Sequence, residues 1–206
     1  FCSQHLSWMV LQSLHQLYLQ DNGIMEGTSS LNIPTTYTVH SKQEVGSTND
    51  EVRLLAEQGA HDGTIVWALR QSAGRGRQGR TWISPVGNLY FSLLLRPGTS
   101  IADAANLSFV ASLALSDAIR KLDNNLVPRL KWPNDVLISG NKVSGVLLES
   151  KANKYGTLEY LIMGIGVNLT DYPDDARYPA TSLVEQGLSA DIGSDILLES
   201  FINSFD

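Results

Sequence analysis

Short apolar runs separated by turn residues make up most of the chain between residues 37 and 169. Residues 64–70 and 89–95 are almost continuously apolar, a pattern typical of buried strands. Residues 136–139 and 142–149 flank Gly140-Asn141, a dipeptide suited to a two-residue hairpin turn. Further strands are predicted at residues 37–40 with an extension to 45, at 127–132 and at 157–169.

Helical periodicity is found between and after these strands. A helix is predicted from Thr48 to about residue 58, because Thr48 and Glu51 form a capping box and Gly59 stands where a helix commonly ends. The longest helix is predicted at residues 101–122, and a last helix begins at about Ser194. The longest helix has Thr99 or Ser100 as its cap and a predicted core-facing stripe at Leu107, Val110, Ala114, Ala118 and Leu122.

The chain divides into an N-terminal extension and one main domain. Residues 1–36 combine a predicted amphipathic helix with a polar linker, and they lack the further helices of a complete winged helix. Residues 37–206 predict an α+β fold, a mixed and largely antiparallel sheet flanked by helices. The last helix is still amphipathic at Phe205, so we expect the natural protein to continue.

Composition and charge exclude several classes of protein. The net charge of −6 and the pI of about 5.1 argue against general nucleic-acid binding, so DNA is a disfavoured partner. The lone cysteine, Cys2, permits no internal disulfide, and no apolar run is long enough to span a bilayer. We therefore expect a cytoplasmic protein without a membrane partner. The scattered histidines show no zinc-ligand spacing.

Residues 71–82 reverse the acidic character of the chain. Three glycines alternate there with Arg75, Arg77 and Arg80, and no acidic residue interrupts them. Glycine lets the backbone approach a ligand, and arginine offers forked donors that match phosphate or carboxylate oxygens. The spacing also fits G-x-G-x-x-G and nearly fits the Walker A motif, but both need a helix where this sequence predicts a strand. We interpret the segment as an anion-binding loop, with a solvated surface loop as the alternative.

Three motifs in this order resemble the catalytic domain of biotin protein ligases. They are the glycine–arginine segment, Lys131-Trp-Pro-Asn-Asp135 followed by Lys142-Val-Ser-Gly145, and Gly164-Ile-Gly-Val-Asn168. Gly46-Ser-Thr-Asn49 is similar to that family's first ligand-binding turn. The similarity covers residues 36–206, and the arginines in the glycine loop distinguish biotin ligases from lipoate ligases and octanoyltransferases. It implies the fold shared by class II aminoacyl-tRNA synthetases and biotin synthetases.

The resemblance implies a two-step ligase reaction. Biotin and ATP, with Mg²⁺ accompanying the nucleotide, would give biotinyl-5'-AMP and pyrophosphate. A lysine of a biotin carboxyl carrier protein, the acetyl-CoA carboxylase subunit, would then take the biotin. Two alternatives stay open: a lipoate or octanoyl ligase of the same fold, and a non-catalytic biotin-sensing regulator.

The resemblance also implies roles for single residues. The residues expected at biotin are Ser47, Thr48, Asn49, Gln71, Gly74, Arg75, Arg77, Trp82, Lys142 and Gly145. The residues expected at ATP or the adenylate are Arg75, Arg77, Arg80, Lys131, Asn134, Asp135, Lys142 and Asn168. Catalysis is expected from positioning and charge stabilisation by Arg75, Arg77, Arg80 and Lys142, with no protein nucleophile and no metal ligand from the protein.

Some family features are not found in this sequence. The small SH3-like barrel that usually follows the catalytic domain is absent, so we expect either a fragment or a protein that works without it. The N-terminal extension does not resemble the DNA-binding module of ligases that double as repressors, and repression is therefore disfavoured. A homodimer through an exposed sheet edge is a further alternative that nothing in the sequence fixes.

Overall fold

Strands and helices alternate irregularly in the computed structural model, which describes residues 31–173 and 178–206. The predicted N-terminal helix lies outside these residues. The strands are β1 (Thr38–Val45), β2 (Thr64–Gln71), β3 (Leu89–Leu95), β4 (Arg129–Lys131), β5 (Asp135–Ile138), β6 (Asn141–Ala152) and β7 (Leu158–Val167). The helices are α1 (Thr48–Glu57), α2 (Ile101–Ala104), α3 (Leu107–Leu122) and α4 (Ser194–Phe205), with a short 3-10 turn at Arg77–Gly79.

The strands form one sheet in the order β1-β2-β3-β7-β6-β5-β4. Strands β1 and β2 are parallel, and α1 makes the crossover between them. The other neighbouring strands pair antiparallel. This arrangement confirms the predicted mixed, largely antiparallel sheet.

The two faces of the sheet have different coverings. Helices α3 and α4 pack on one face, where Phe91 of β3 meets Phe201 of α4 with ring centroids 5.0 Å apart. Helix α1 covers part of the other face with Val52, which packs with Val66 and Ile162. Because β2 and β3 are buried on both faces, their sequences are apolar without alternation, as predicted.

The longest predicted helix is interrupted. Helix α2 ends at Ala104, and α3 begins at Leu107 after a turn at the intervening residues. Ser100 caps α2 by accepting a hydrogen bond from the backbone N–H of Asp103, as one of the two predicted caps. The predicted core stripe is wrong at Val110, which is 44% exposed. Ser108, Ala111, Ser112, Leu115, Ser116 and Ile119 are buried instead, together with the predicted Ala114 and Ala118.

Two local predictions are also corrected by the backbone. The hairpin turn between β5 and β6 is Ser139-Gly140, with φ of 52° and 82°, and Asn141 already belongs to β6. Positive φ at both positions is what a type I′ turn requires. The predicted capping box at α1 is not formed, because Ser47 occupies the N-cap without a side-chain cap bond. Gly59 does end this helix region, with a φ of 90°.

Candidate active site

A cavity of about 740 Å³ opens on the face of the sheet that α1 leaves partly uncovered. Its walls come from the start of α1, the glycine–arginine segment, the β4–β5 turn and the ends of β6 and β7. It brings together the predicted site residues Ser47, Thr48, Asn49, Gln71, Arg75, Arg77, Arg80, Trp82, Lys131, Asn134, Asp135, Lys142, Gly145 and Asn168. Gly74 is the predicted site residue that is not part of the wall.

One end of the cavity is polar but uncharged. The backbone N–H and the hydroxyl of Thr48 donate to Gln71 Oε1 at 2.9 and 3.1 Å. Gln71 Nε2 donates to Ser84 Oγ at 3.0 Å, and this hydroxyl donates to the carbonyl of Trp82 at 2.9 Å. The Gln71 amide is therefore held in one orientation, and Thr48 binds Gln71 in place of capping its own helix.

A second layer of polar side chains lies beneath this end. Ser92 Oγ of β3 is 2.7 Å from Thr48 Oγ1 and 2.5 Å from Asn49 Oδ1. Asn49 Nδ2 donates to Glu149 Oε2 of β6 at 2.8 Å. Ser92 is fully buried, and burying hydroxyl and amide groups is favourable only when they are paired as they are here. These bonds fix Thr48 and Asn49 against the sheet.

Glycines make room for the indole of Trp82 on the sheet. A Cβ at Gly166 would lie 2.5 Å from Trp82 Nε1, and one at Gly145, its partner across β6 and β7, would lie 3.4 Å from the same ring. A Cβ at Gly74 would meet the carbonyl of Trp82, so this glycine serves the close approach of two backbone segments. Trp82 thus forms part of an apolar floor beside the polar end.

The other end of the cavity carries the cationic side chains. Arg77 donates to Asn134 Oδ1 at 3.1 Å, and Asn134 Nδ2 donates to the carbonyl of Val146 at 2.6 Å. Arg80 donates to Gln78 Oε1 at 3.2 Å. The partners of both arginines are neutral amides, so their positive charges are not compensated by these contacts.

Lysines complete this cationic end in two different ways. Lys142 Nζ lies 2.6 Å from Asp135 Oδ1 and 5.4 Å from the centre of the Trp82 ring. Lys131 Nζ lies 4.8 Å from the centre of the Tyr178 ring. Lys142 is therefore fixed by an ion pair over the apolar floor, whereas Lys131 lies at an aromatic rim.

Arg75 has a different environment from its two neighbours in the motif. Its guanidinium donates to both carboxylate oxygens of Asp50, at 2.5 and 2.8 Å, and lies 3.5 Å from Glu149. Hydrogen bonding from Arg75 lowers the pKa of Asp50 despite the opposing effect of burial. The same contact raises the pKa of Arg75. Arg75 lines the cavity, but its charge is directed at α1 and β6.

Asn168 lies in the wall with its side chain used inside the protein. It is 4% exposed, and its Nδ2 donates to the carbonyl of Thr181 at 3.2 Å. Its backbone N–H donates to the carbonyl of Val143 at 2.7 Å. These bonds join β6, β7 and the following segment, and the predicted contact of Asn168 with an adenylate stays a prediction.

The described residues offer few groups for a metal ion. In residues 31–173 and 178–206, no three His, Cys, Asp or Glu side chains lie close enough together to hold one. Asp135 is the carboxylate in the described cavity wall, and Lys142 already pairs with it. Within the same residues no helix combines the length and the apolar character needed to cross a bilayer.

Sequence reasoning missed the residues that support the site from behind. Asp50, Arg53, Ser92 and Glu149 were not identified, because the contacts that tie them to the site join residues 25 to 100 positions apart along the chain. One signal was available for Ser92, a single polar residue within the apolar run of β3. A buried hydroxyl in such a strand indicates a partner on the facing element.

These features define an α+β domain with a cavity that is neutral and polar at one end and cationic at the other. The chain belongs to the biotin/lipoate A/B protein ligase family, whose sequence model matches residues 41–168. The biotin–[acetyl-CoA-carboxylase] ligase of Paracoccus denitrificans is 42% identical over 159 residues, which are 76% of this chain and 65% of that relative. The chain thus spans less than two thirds of this relative's length.

Solved structures show the same fold. The biotin protein ligase of Aquifex aeolicus in complex with biotin and ATP has a TM-score of 0.69 and 35% identity, over 82% of this chain and 68% of that one. The biotin protein ligase of Leishmania major in complex with biotinyl-5-AMP has a TM-score of 0.71 and 28% identity, over 84% of this chain and 74% of that one. The predicted fold class is therefore confirmed.

Proposed function

We propose that this protein is an ATP-dependent biotin protein ligase, which forms biotinyl-5'-AMP and pyrophosphate and then transfers biotin to a lysine of a carrier protein. The observation that carries the proposal is the cavity, which joins the neutral pair Thr48–Gln71 to Arg77, Arg80 and Lys142. Biotin has the matching composition, with a neutral bicyclic head, an apolar chain and a terminal carboxylate.

The neutral end suits the head group of biotin. A ureido ring presents one strong acceptor and two N–H donors, and hydroxyl and amide side chains provide the complementary groups. Ser47, Thr48 and Gln71 supply them here, and bonds to Ser84 and Ser92 hold Gln71 and Thr48 in place. The indole of Trp82, lying on glycines, offers an apolar surface to the chain of biotin.

The cationic end suits the reaction of two anions. An oxygen of the biotin carboxylate attacks the α-phosphorus of ATP, and pyrophosphate leaves as the bond to the α-phosphorus breaks. Arg77, Arg80 and Lys142 would offset the repulsion between the reactants and stabilise the charge that develops on the phosphoryl oxygens. The neutral partners Asn134 and Gln78 leave the arginine charges available to the ligand. Lys142 would have to exchange Asp135 for the ligand.

Mg²⁺ would enter with the nucleotide and screen the charge of its phosphates. The described wall offers only Asp135 as a carboxylate, so the phosphate oxygens would be the main ligands of Mg²⁺.

The second step requires an amine of the carrier at the mixed anhydride. A biotin carboxyl carrier domain of acetyl-CoA carboxylase is the proposed acceptor, in line with the name of the Paracoccus relative. The glycine–arginine segment would cover the adenylate and exclude water.

Pyrophosphate release on mixing the protein with Mg-ATP tests the first step. We expect release with biotin and much less with lipoate, because the neutral end has hydrogen-bonding groups that a dithiolane ring leaves unpaired. Arg77→Gln should lower the rate of pyrophosphate release by a factor on the order of 10² to 10³, which is the effect of removing one hydrogen-bond donor to a transition-state anion. Arg120→Gln, an exposed arginine of α3 outside the cavity wall, is the matched charge control.

Two results would contradict the proposal. Equal release with lipoate would indicate a lipoate ligase of the same family. Biotin binding by calorimetry without pyrophosphate release would indicate a biotin-sensing regulator.

A further inference from the structure

Arg75, at the cavity wall, belongs to a cluster of four charged side chains. The two carboxylate oxygens of Asp50 accept hydrogen bonds from the two terminal nitrogens of the Arg75 guanidinium. Glu149 Oε2 of β6 lies 3.5 Å from the same guanidinium. Arg53, one turn further along α1, donates to Asp50 at 2.7 Å and to Glu149 at 2.8 Å. Two positive and two negative charges therefore neutralise each other within one group of contacts.

We propose that Asp50 and Glu149 are positioning residues that anchor Arg75 to α1 and β6. Anchored in this way, Arg75 fixes the base of the glycine–arginine segment. Its guanidinium does not bind phosphate. The inference rests on the proposed ligase function for its consequence in catalysis. It assigns different duties to the three arginines of one motif. Arg77 and Arg80 bind the phosphate, and Arg75 fixes the backbone of the segment to which they belong.

The chemistry of the partners supports this division. A bidentate arginine–carboxylate contact is a strong and directional pairing, roughly twice as strong as a hydrogen bond between neutral groups. Arg75 makes it with Asp50, whereas Arg77 and Arg80 donate to the uncharged side chains of Asn134 and Gln78. A phosphate could displace an amide oxygen far more easily than it could displace two carboxylates that already neutralise Arg75.

The backbone around Arg75 shows what the anchor would hold. Arg75 forms an isolated antiparallel bridge with Thr81. On either side of it, Gly76 N–H donates to the carbonyl of Arg80 at 2.7 Å and Trp82 N–H donates to the carbonyl of Gly74 at 2.9 Å. Fixing Arg75 to α1 therefore fixes the strand-like clip from which both Arg80 and Trp82 project into the cavity.

Glu149 has a second contact that Asp50 lacks. The same oxygen that accepts from Arg53 also accepts from Asn49, which continues through Ser92 to Thr48 at the neutral end. Loss of Glu149 should disturb both ends of the cavity, whereas loss of Asp50 should disturb only the anchor. Asp50 is consequently the sharper position for a test.

A double-mutant cycle between Asp50 and Arg75 tests the anchor in the pyrophosphate assay. We expect Asp50→Asn and Arg75→Gln each to raise the KM for biotin about tenfold, with kcat at saturating substrates little changed, because the clip must then be ordered by the ligand. The double variant should be no worse than Arg75→Gln alone. Asp50→Glu should recover most of the loss, and Glu159→Gln, from the exposed pair Lys151–Glu159, is the control.

A different pattern would overturn the anchor. If Arg75→Gln lowers kcat on the order of 10² while Asp50→Asn behaves like the unmodified protein, Arg75 contacts the reacting phosphate directly. Losses that multiply in the double variant would lead to the same conclusion, because they would show that the two residues act independently.

Hydrogen exchange on the ligand-free protein separates this inference from the proposed function. Asp50→Asn and Arg75→Gln should each speed the exchange of the Gly76 and Trp82 amides about tenfold, and Glu159→Gln should not. Unchanged exchange rates in both variants would contradict the proposed anchoring role of Asp50, even if the protein releases pyrophosphate. Faster exchange in a protein that releases none would support the anchor and reject the ligase function.

Discussion

Gly166 illustrates how a missing side chain shapes this site. It sits on β7 opposite Gly145 of β6. The indole of Trp82 occupies the space where a Cβ of Gly166 would be, and it comes within 3.4 Å of where a Cβ of Gly145 would be. The predicted roles of Trp82 and Gly145 thus have a common physical basis, since the ring can reach the sheet only where no side chain covers it.

Substituting Gly166 tests this explanation. In Gly166→Ala the new methyl would lie 2.5 Å from Trp82 Nε1, so the indole must move away from the sheet. We expect the rate of adenylate formation to fall by a factor on the order of 10², because displacement of a positioning group by about 1 Å can have that effect. Pyrophosphate release measures the rate, and tryptophan fluorescence reports the displacement.

Gly145→Ala provides the graded control. Its methyl would lie 3.4 Å from the same ring and 3.2 Å from Lys142 Nζ, close enough to require only a small shift. The loss should therefore be smaller than that of Gly166→Ala. An equal loss in both variants, without any change in fluorescence, would show that strand packing and not the position of Trp82 is what the glycines serve.

At the scale of elements, local sequence signals predicted the strands better than the helices. Residues 64–70 and 89–95 are almost continuously apolar, so β2 and β3 were predicted nearly to the residue. The break between α2 and α3 has no glycine or proline to mark it and was missed. The hairpin turn was placed one residue too late, because Gly140-Asn141 and Ser139-Gly140 are both acceptable turn pairs and pairing with β5 decides between them.

The site was predicted to a similar depth. Most of the cavity wall could be predicted because Arg77, Lys142 and their neighbours occur in motifs. The supporting layer could not, because a contact such as Asn49 with Glu149 depends on which strands become neighbours in the sheet. A glutamate within a strand carries no local sign of such a contact.

The contact between α1 and the glycine–arginine segment gives a prediction for pH. Hydrogen bonding from Arg75 lowers the pKa of Asp50 below its ordinary 3.8 in the folded protein. A carboxyl with a lower pKa in the folded state stabilises the fold fully above its unfolded pKa and loses this effect as the pH falls through the folded value. The difference in urea midpoint between the unmodified protein and Asp50→Asn should be constant above about pH 5 and shrink below 3.8.

Asp50→Glu is the control for this pH dependence. It keeps a carboxyl within reach of Arg75 and Arg53, so its urea midpoint should fall with acid as in the unmodified protein. A midpoint difference between Asp50→Asn and the unmodified protein that persists unchanged to low pH would show that the ionised carboxylate is not what joins these elements.

At the scale of the whole molecule, the sheet separates the site from the main core. Along β7, Gly164 and Gly166 face the cavity, while Met163 and Ile165 pack with α3 and α4 in the core. The strand β3 is divided in the same way, with Ser92 towards the cavity and Phe91 towards α4. The main core and the cavity therefore lie largely on opposite faces of one sheet.

This separation predicts that a core substitution in α4 weakens the fold without changing the site. Phe201 is fully buried between Phe91 and Phe205, with ring centroids at 5.0 and 5.6 Å. Phe201→Ala should lower the free energy of unfolding by about 3–5 kcal/mol. For a domain of this size that corresponds to a fall in Tm of about 10 °C. The biotin KM, measured well below the transition, should be unchanged, because Phe201 packs against Phe91 and Phe205 on the face of the sheet that α3 and α4 cover. Ile196→Ala on the same helix, where Ile196 is 44% exposed, should change Tm only slightly.

A raised biotin KM in Phe201→Ala would contradict this separation, provided that circular dichroism shows the variant to be folded at the temperature of the assay. It would mean that the packing of α4 also sets the geometry of the opposite face of the sheet. The core and the site would then be coupled through the strands.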